Sequence, residues 1–403
     1  MTPTQALIVA AIALSGAAQA QISDNVVKIG VLTDMSGAYA DLGGPGSVVA
    51  AQLAIEDFGG KVRGLPIELV SADHQNKPDI GSAIANRWID EEKVDAIVDV
   101  PVSSVALAIQ EITRNKNRVL LISGSGTSLL TGEKCSPNSV HWTYDTYALA
   151  HGSGTALTRQ GRDSWFFITA DYAFGHALQD DTVAAVKAAG GKVLGAVNAP
   201  FPNDDFSSFL VQAKASHAKV IGLANAGTDT VNAVKQAHEF GIAGSGQTLV
   251  GLLFQVADVH SLGLEMAQGM VLTDSWYWDM DDASRNWATR WSARMHGRMP
   301  VGPQAGVYSA VLNYLKAVEA TGTDDGRKVV EMLRTMPIED MFARHGRVRA
   351  DGRLVHDMLL AQVKAPADSK YPWDYYRILR VLPGDEVYRP LEQGNCDLVA
   401  VKQ

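Results

Sequence analysis

The sequence predicts an α/β fold of two doubly wound parallel-sheet lobes, and three observations predict it. Short apolar runs alternate with amphipathic stretches of helical length along residues 26–122, the order that builds a parallel sheet covered by helices. The same alternation restarts at residue 151 and runs to 253. A chain of 403 residues is also too long for one average domain.

In the first half, strands are expected at 26–32, 66–72, 94–100 and 119–122, with helices at 47–58, 80–91 and 104–115. Val48, Ala51, Leu53 and Ile55 supply the apolar positions of the first helix. The second half gives a helix at 151–160, a strand at 164–169 and a helix at 178–189 stopped by Gly190-Gly191. Strands at 192–197, 219–223 and 248–253 follow, with helices at 206–215 and 230–240 between them. After Gly269 come a short strand at 270–272 and three helices near 283–296, 306–321 and 326–336. Two antiparallel strands, 354–363 and 375–382, follow the helices. A helical block completes neither sheet, so it packs back onto a lobe already formed. The chain is therefore expected to cross between lobes near 143–145, 272–275 and 341–346.

The domain reading is residues 26–143 with 274–344 as the first lobe and 144–273 with 345–390 as the second. Residues 391–403 form a tail returning to the hinge. Residues 1–20 differ in kind. An apolar run at 6–14 is followed by Ser15-Gly16-Ala17-Ala18-Gln19-Ala20, the small-x-small end of a secretory signal cleaved after Ala20. No Lys or Arg precedes the run. The run is too short for a permanent membrane span, and the expected compartment, outside the cytoplasm, permits disulfides.

Net charge is −9 with no basic cluster, which argues against a nucleic-acid partner. HExxH, Walker A, CxxC and GxSxG motifs are absent, so no cofactor, metal or catalytic group is expected. Gly44-Pro45-Gly46 begins like a dinucleotide fingerprint, but Val49 stands where its third glycine belongs.

The stretch with the most chemistry is 119–131, VLLISGSGTSLLT. A strand ends there in Ser123, Ser125, Thr127 and Ser128, interleaved with glycines and without any charge. Hydroxyls and free N–H groups of this kind can hold a carboxylate by dipoles alone, and Gly126 lets the backbone approach it. A polar strand-to-helix connection with an ordinary cap explains the same residues equally well. Strand ends are where open α/β sheets bind ligands, and several strands here end in small polar residues.

Residues 27–41, VKIGVLTDMSGAYAD, with ELVSADHQ at 68–75, resemble the opening of the leucine/isoleucine/valine-type periplasmic binding proteins. Val102-Ser103-Ser104, the 123–128 loop and Asp171-Tyr172-Ala173-Phe174-Gly175 extend the resemblance in order along nearly the whole mature chain. It implies a type I periplasmic binding protein, two lobes closing about a three-segment hinge. Such receptors deliver a small ligand to an ABC permease in the inner membrane, and this chain is expected to act there as a monomer. The resemblance also implies site residues. A carboxylate falls to Ser103 or Ser104, Ser125 and Thr127, with Tyr172 closing from the second lobe and Tyr39 to Leu42 bordering the first.

One departure bears on the ligand. Relatives that bind amino acids place an acid in the loop after the strand at 248–253, where this chain has Leu252-Leu253-Phe254-Gln255. An ammonium desolvated without a partner costs several kcal/mol. The expected ligand is therefore a hydrophobic or aromatic carboxylate, with a branched-chain amino acid as the alternative. Phe254 is a candidate contact, and Asn225 and Asp229 can supply a substitute acceptor. The segments 135–152 and 274–279 resemble an aromatic-carboxylate-binding subgroup, although Trp276 and Trp278 are expected to pack between lobes. A sensor ectodomain and a periplasmic enzyme are the rival classes. Finally, Cys135 and Cys396 both belong near the hinge, and an exported chain with two cysteines is expected to join them.

Overall fold

A computed structural model of the protein describes residues 21–399, and the expected signal segment lies outside the described residues. The first lobe opens with β1 (Val27–Thr33), buried along almost its whole length. The next helix, α1 (Gly44–Phe58), starts earlier than expected because Gly44-Pro45-Gly46 is its first turn. Gly44 takes a φ of 57°, Pro45 presets the helical φ, and the Gly44 N–H donates to Thr33 Oγ1 at 2.8 Å. Then come β2 (Lys61–Val62), β3 (Leu65–Asp73), α2 (Pro78–Asp90), β4 (Ala96–Asp99), α3 (Ser103–Asn115) and β5 (Val119–Ile122). β6 (Ser139–His141) has no alternation long enough to be found in sequence. The sheet order is β2-β3-β1-β4-β5-β6, parallel except for β2.

The second lobe begins with α4 (Thr146–Leu149), a π-helical turn at Ala150–Gly154 and α5 (Thr155–Arg159), where one helix was expected. Gly152 packs directly on Thr273, and Tyr147 stacks on His151 at 3.8 Å. Next are β7 (Ser164–Ala170), α6 (Ala173–Ala188), β8 (Lys192–Ala199), α7 (Ser207–Ala215), β9 (Val220–Ala224), α8 (Thr228–Glu239) and β10 (Thr248–Gly251). These strands form a parallel sheet in the order β10-β9-β7-β8. After α9 (Val256–Leu262) and α10 (Leu264–Ala267), β11 (Val271–Asp274) leads back across the hinge.

α11 (Asp282–Arg294), α12 (Gly302–Thr321) and α13 (Gly326–Thr335) return to the first lobe. The Trp291 indole donates to the Gly46 carbonyl at 2.9 Å, and Arg290 and Arg294 pair with Asp57 and Glu56 on α1. α12 is buried on nearly every side, as a helix sandwiched against a sheet must be, and each fully buried aliphatic side chain contributes about 1.5–3 kcal/mol. β12 (Arg347–Val348) and β13 (Leu354–Val355) form a small hairpin, and Arg353 bridges to His141 at the edge of the first sheet. β14 (Met358–Val363) then pairs with β11 and with β15 (Tyr376–Leu382), before the one-turn α14 (Gly384–Val387). The third crossing thus runs through His356 and Asp357, beyond the 341–346 segment, because the hairpin still belongs to the first sheet.

The hinge is tightly bonded. The Thr143 carbonyl accepts from Tyr388 Oη at 2.7 Å and also from the guanidinium of Arg353, which is fully buried and lies 4.6 Å over the Tyr388 ring. Trp276 and Trp278 donate to the Met341 and Trp373 carbonyls and are packed, not turned to the cleft. Cys135 and Cys396 are joined, their Cα atoms 5.7 Å apart, and Arg389 donates to the Ser128 carbonyl at 3.0 Å. The tail is tied to the first lobe beside the hinge.

Candidate functional site

Each parallel sheet has a point where chain order reverses. In the first lobe β1 is flanked by β3 and β4, and in the second β7 is flanked by β8 and β9. Loops leaving the carboxyl ends of such strands diverge and leave a crevice. The two crevices face each other across the hinge, and the loops after β1, β4, β5, β7, β9 and β10 meet there so closely that the crevice between them has no room for a water molecule in this closed form. The larger crevice between Val234, Thr248 and Met270 belongs to the second lobe only.

The first-lobe wall is Tyr39, Leu42, Pro101, Gly124 and Gly126. The second-lobe wall is Tyr172, Phe174, Ala226 and Leu253. The lobes touch directly here. Tyr39 Oη and Tyr172 Oη are 2.5 Å apart, and Phe201 stacks on both rings, at 5.1 Å and 4.4 Å. The Thr228 N–H donates to the Ala38 carbonyl at 3.1 Å, and Gly227 fits against Ala38 and Tyr39 where any side chain would collide. Burial pushes the hydroxyl pKa of both tyrosines above the usual range, so both are neutral donors at any ordinary pH.

Sequence-predicted residues fall in three places. Tyr39, Leu42, Gly126 and Tyr172 line the cavity. Ser103, Ser125 and Thr127 are fully buried just behind the first wall and are bonded to one another. Ser125 Oγ donates to Ser103 Oγ at 3.1 Å, and the Thr127 N–H donates to the same atom at 3.2 Å, which leaves the Ser103 proton for another acceptor. Thr127 Oγ1 accepts from the Leu129 N–H, so its proton is also available. Ser104 is partly buried on the next position of α3. Phe254 lies outside the wall; it is fully buried against Gly251, and Leu253 takes the place facing the cavity.

Asn225 and Asp229 flank Ala226 from the second lobe, each 1 % exposed. Asn225 Oδ1 accepts from Thr230 Oγ1 at 2.7 Å, and Asp229 Oδ1 accepts from the Asn203 N–H at 3.2 Å. Their other polar atoms, Asn225 Nδ2 and Asp229 Oδ2, have no partner among the described residues. Desolvation raises the Asp229 carboxyl from 3.8 to about 7.

The sequence reading missed Pro101, Phe174, Phe201, Ala226 and Asp99. Asp99 ends β4 beneath the first wall, fully buried, with both carboxylate oxygens lacking a well-formed hydrogen bond although the Thr33 and Ser47 hydroxyls stand near. Desolvation raises it to about 7. Asp99 and Val100 take positive φ of 81° and 51°, a backbone that β-branched residues rarely adopt and that surrounding structure must hold. The signal available in sequence was an acid at the end of an otherwise apolar strand, AIVD.

Comparison with known proteins agrees on one family. Residues 26–370 match the family described as periplasmic binding protein. A periplasmic binding protein of Burkholderia mallei superposes with a TM-score of 0.91 at 50 % identity, covering 93 % of this chain and 99 % of that one. A branched-chain amino acid ABC transporter periplasmic ligand-binding protein of Burkholderia xenovorans superposes at 0.82 with 41 % identity, over 92 % and 99 %. The Leu/Ile/Val-binding protein homolog 6 of Brucella melitensis is 28 % identical over 366 residues, 88 % of this chain and 92 % of that one.

Proposed function

The chain belongs to the periplasmic binding protein family, and from that premise we propose that it captures a small hydrophobic or aromatic carboxylate and presents it to an ABC permease. The observation that carries this reading is the lining of the interlobe crevice, shut in this form and opening to admit a ligand: both lobes wall it, its lining is apolar and aromatic, and no charged side chain is among its lining residues. The carboxylate sits against Gly124 and Gly126, with Ser103 and Thr127 turning their available protons toward it and Ser125 holding them in place. Ser104 is the alternative donor on α3. The ring or apolar body lies against Leu42, Tyr39, Tyr172 and Phe174, where offset stacking adds about 0.5–1.5 kcal/mol per pair. Closure then buries the ligand, as the contact between Tyr39 and Tyr172 already does for the two walls.

The protein works as a monomer in the periplasm, exported by residues 1–20, and releases its ligand unchanged. A second reading, a branched-chain amino acid, draws on Asp229, whose unpartnered oxygen can accept from an ammonium. A thermal-shift screen of leucine against benzoate- and cinnamate-like acids separates the two. At a hundredfold excess over Kd, a true ligand stabilises by about 2.7 kcal/mol. Stabilisation by leucine alone reverses the choice of ligand, and product formation from any bound acid overturns the receptor reading.

A further inference from the structure

A separate crevice opens on the second lobe, away from the space between the lobes. The π-helical turn at Ala150–Gly154, one face of α5, the strands β14 and β15 and the short α14 enclose about 300 Å³ there, within the size range of small-molecule sites. Leu360 and Val387, both buried, give it an apolar floor. Gly152 leaves that floor open, because a side chain there would collide with Thr273 on β11. The rim is charged. Arg380 pairs with Glu386 at 2.9 Å, both side chains exposed, and Arg159 lines the crevice with no acidic partner among the described residues. Burial holds His151 below its usual range, so this ring is neutral at pH 7 and adds no charge. Two guanidiniums therefore face one carboxylate, in a chain whose net charge is −9.

Packing accounts for part of this arrangement. Gly152 has to be small to meet the hinge strand, and an exposed arginine is ordinary on a helix. Neither accounts for an open apolar floor beneath an unpaired guanidinium. Nor does the interlobe crevice account for the π-helical turn, a rare element frequent at functional sites, since no residue of the turn lines that crevice. A cation placed here meets two guanidiniums, and a dianion crowds Glu386. A monoanion with an apolar body pairs with Arg159 and covers Leu360 and Val387. We propose that this crevice binds a small organic monoanion of that kind, its acidic group on Arg159 and its body over the apolar floor. The site stands or falls independently of the ligand held between the lobes.

The test is fluorescence titration of the mature protein with anilinonaphthalene sulfonate, and with neutral phenylnaphthylamine, which keeps the rings and lacks the sulfonate. We expect saturable enhancement by the sulfonate, weakened about fivefold or more in Arg159→Gln. Ala156→Trp fills the crevice from α5 and should weaken it by about as much. Arg377→Gln makes the same charge change on β15 outside the lining, and Gly126→Val obstructs the interlobe crevice; both should leave the affinity within about twofold. Apo melting temperatures show whether each variant is folded. The crevice at Val234, Thr248 and Met270 has no arginine or lysine in its lining, so dye held there ignores Arg159→Gln. An Arg159→Gln protein that binds the sulfonate as tightly as wild type overturns the site. Equal affinity of wild type for the neutral amine overturns it too, as does a loss in Gly126→Val matching that in Arg159→Gln.

Discussion

On the first lobe the crevice meets Tyr39 and Leu42 at one end and backbone and small residues, Pro101, Gly124 and Gly126, at the other, behind which Ser103, Ser125 and Thr127 bond to one another. On the second lobe it meets the rings of Tyr172 and Phe174, and Asn225 and Asp229 beside it keep polar atoms unpaired. The first wall is built as part of the fold, so changes there cost stability and binding together. The second wall combines Tyr172 just before α6, Phe174 on its first turn and the loop after β9, so changes to its polar tips are expected to alter affinity and selectivity more than stability. On the proposed function, that difference puts the carboxylate seat on the first lobe and the reading of the rest of the ligand on the second.

The largest effect tests the first wall. Ser125→Asp places a charge at a fully buried site beside Ser103, and we expect a loss of about 3–5 kcal/mol of stability with no measurable carboxylate binding. Urea unfolding and titration calorimetry read the two losses; a stable variant that binds normally would remove the seat from this loop. Gly126→Val should come next. A Cβ at Gly126 would stand 2.7 Å from Phe174 Cε2 across the cleft, so overpacking of about 1–3 kcal/mol falls on the closed form. Small-angle scattering should show ligand failing to compact this variant, and because the new side chain also crowds buried Tyr144, 3.2 Å from the added Cβ, its unfolding midpoint should fall as well.

Tyr172→Phe sharpens the comparison from the other side. It removes one hydroxyl from the interlobe contact with Tyr39 and keeps the stack on Phe201. We expect affinity to drop by about 0.5–1.5 kcal/mol with unfolding unchanged. Equal losses in both measurements would mean that the second wall is structural too.

Much of this was legible in the sequence, and the gaps have physical causes. Strands such as β1, β5 and β9 are buried on both faces and announce themselves as aliphatic runs. β6 is three residues long and the Ala150–Gly154 π-turn depends on Gly152 meeting Thr273, a tertiary contact without a local signature. The 123–128 loop borders the interlobe crevice through Gly124 and Gly126, and composition does not set which alternate residues face it. Ser123, Ser125 and Thr127 are fully buried, and Gly124 and Gly126 face the interlobe crevice. Phe254 and Leu253 show the same ambiguity of phase, one residue apart.

The smallest expected effect concerns the buried acids. Burial raises Asp99 from 3.8 to about 7, so the folded protein holds this proton more tightly than the unfolded chain does. The stability it contributes is complete below the unfolded value and is lost as pH rises through about 7. Asp229, Asp258 and Asp274 lie in the same direction. Asp99→Asn should therefore flatten part of the fall in melting temperature between pH 4 and about 7. An unchanged slope would mean that Asp99 is not held protonated under the first wall.

Direct titration of the mature protein with benzoate and 4-hydroxybenzoate, in parallel with leucine and followed by recovery of the added compound, bears most closely on capture between two unlike walls. We expect one acid bound per chain, recovered unchanged, with leucine giving no saturable heat. Saturable binding of leucine with silence from every aromatic acid, or conversion of the acid during the titration, would contradict it.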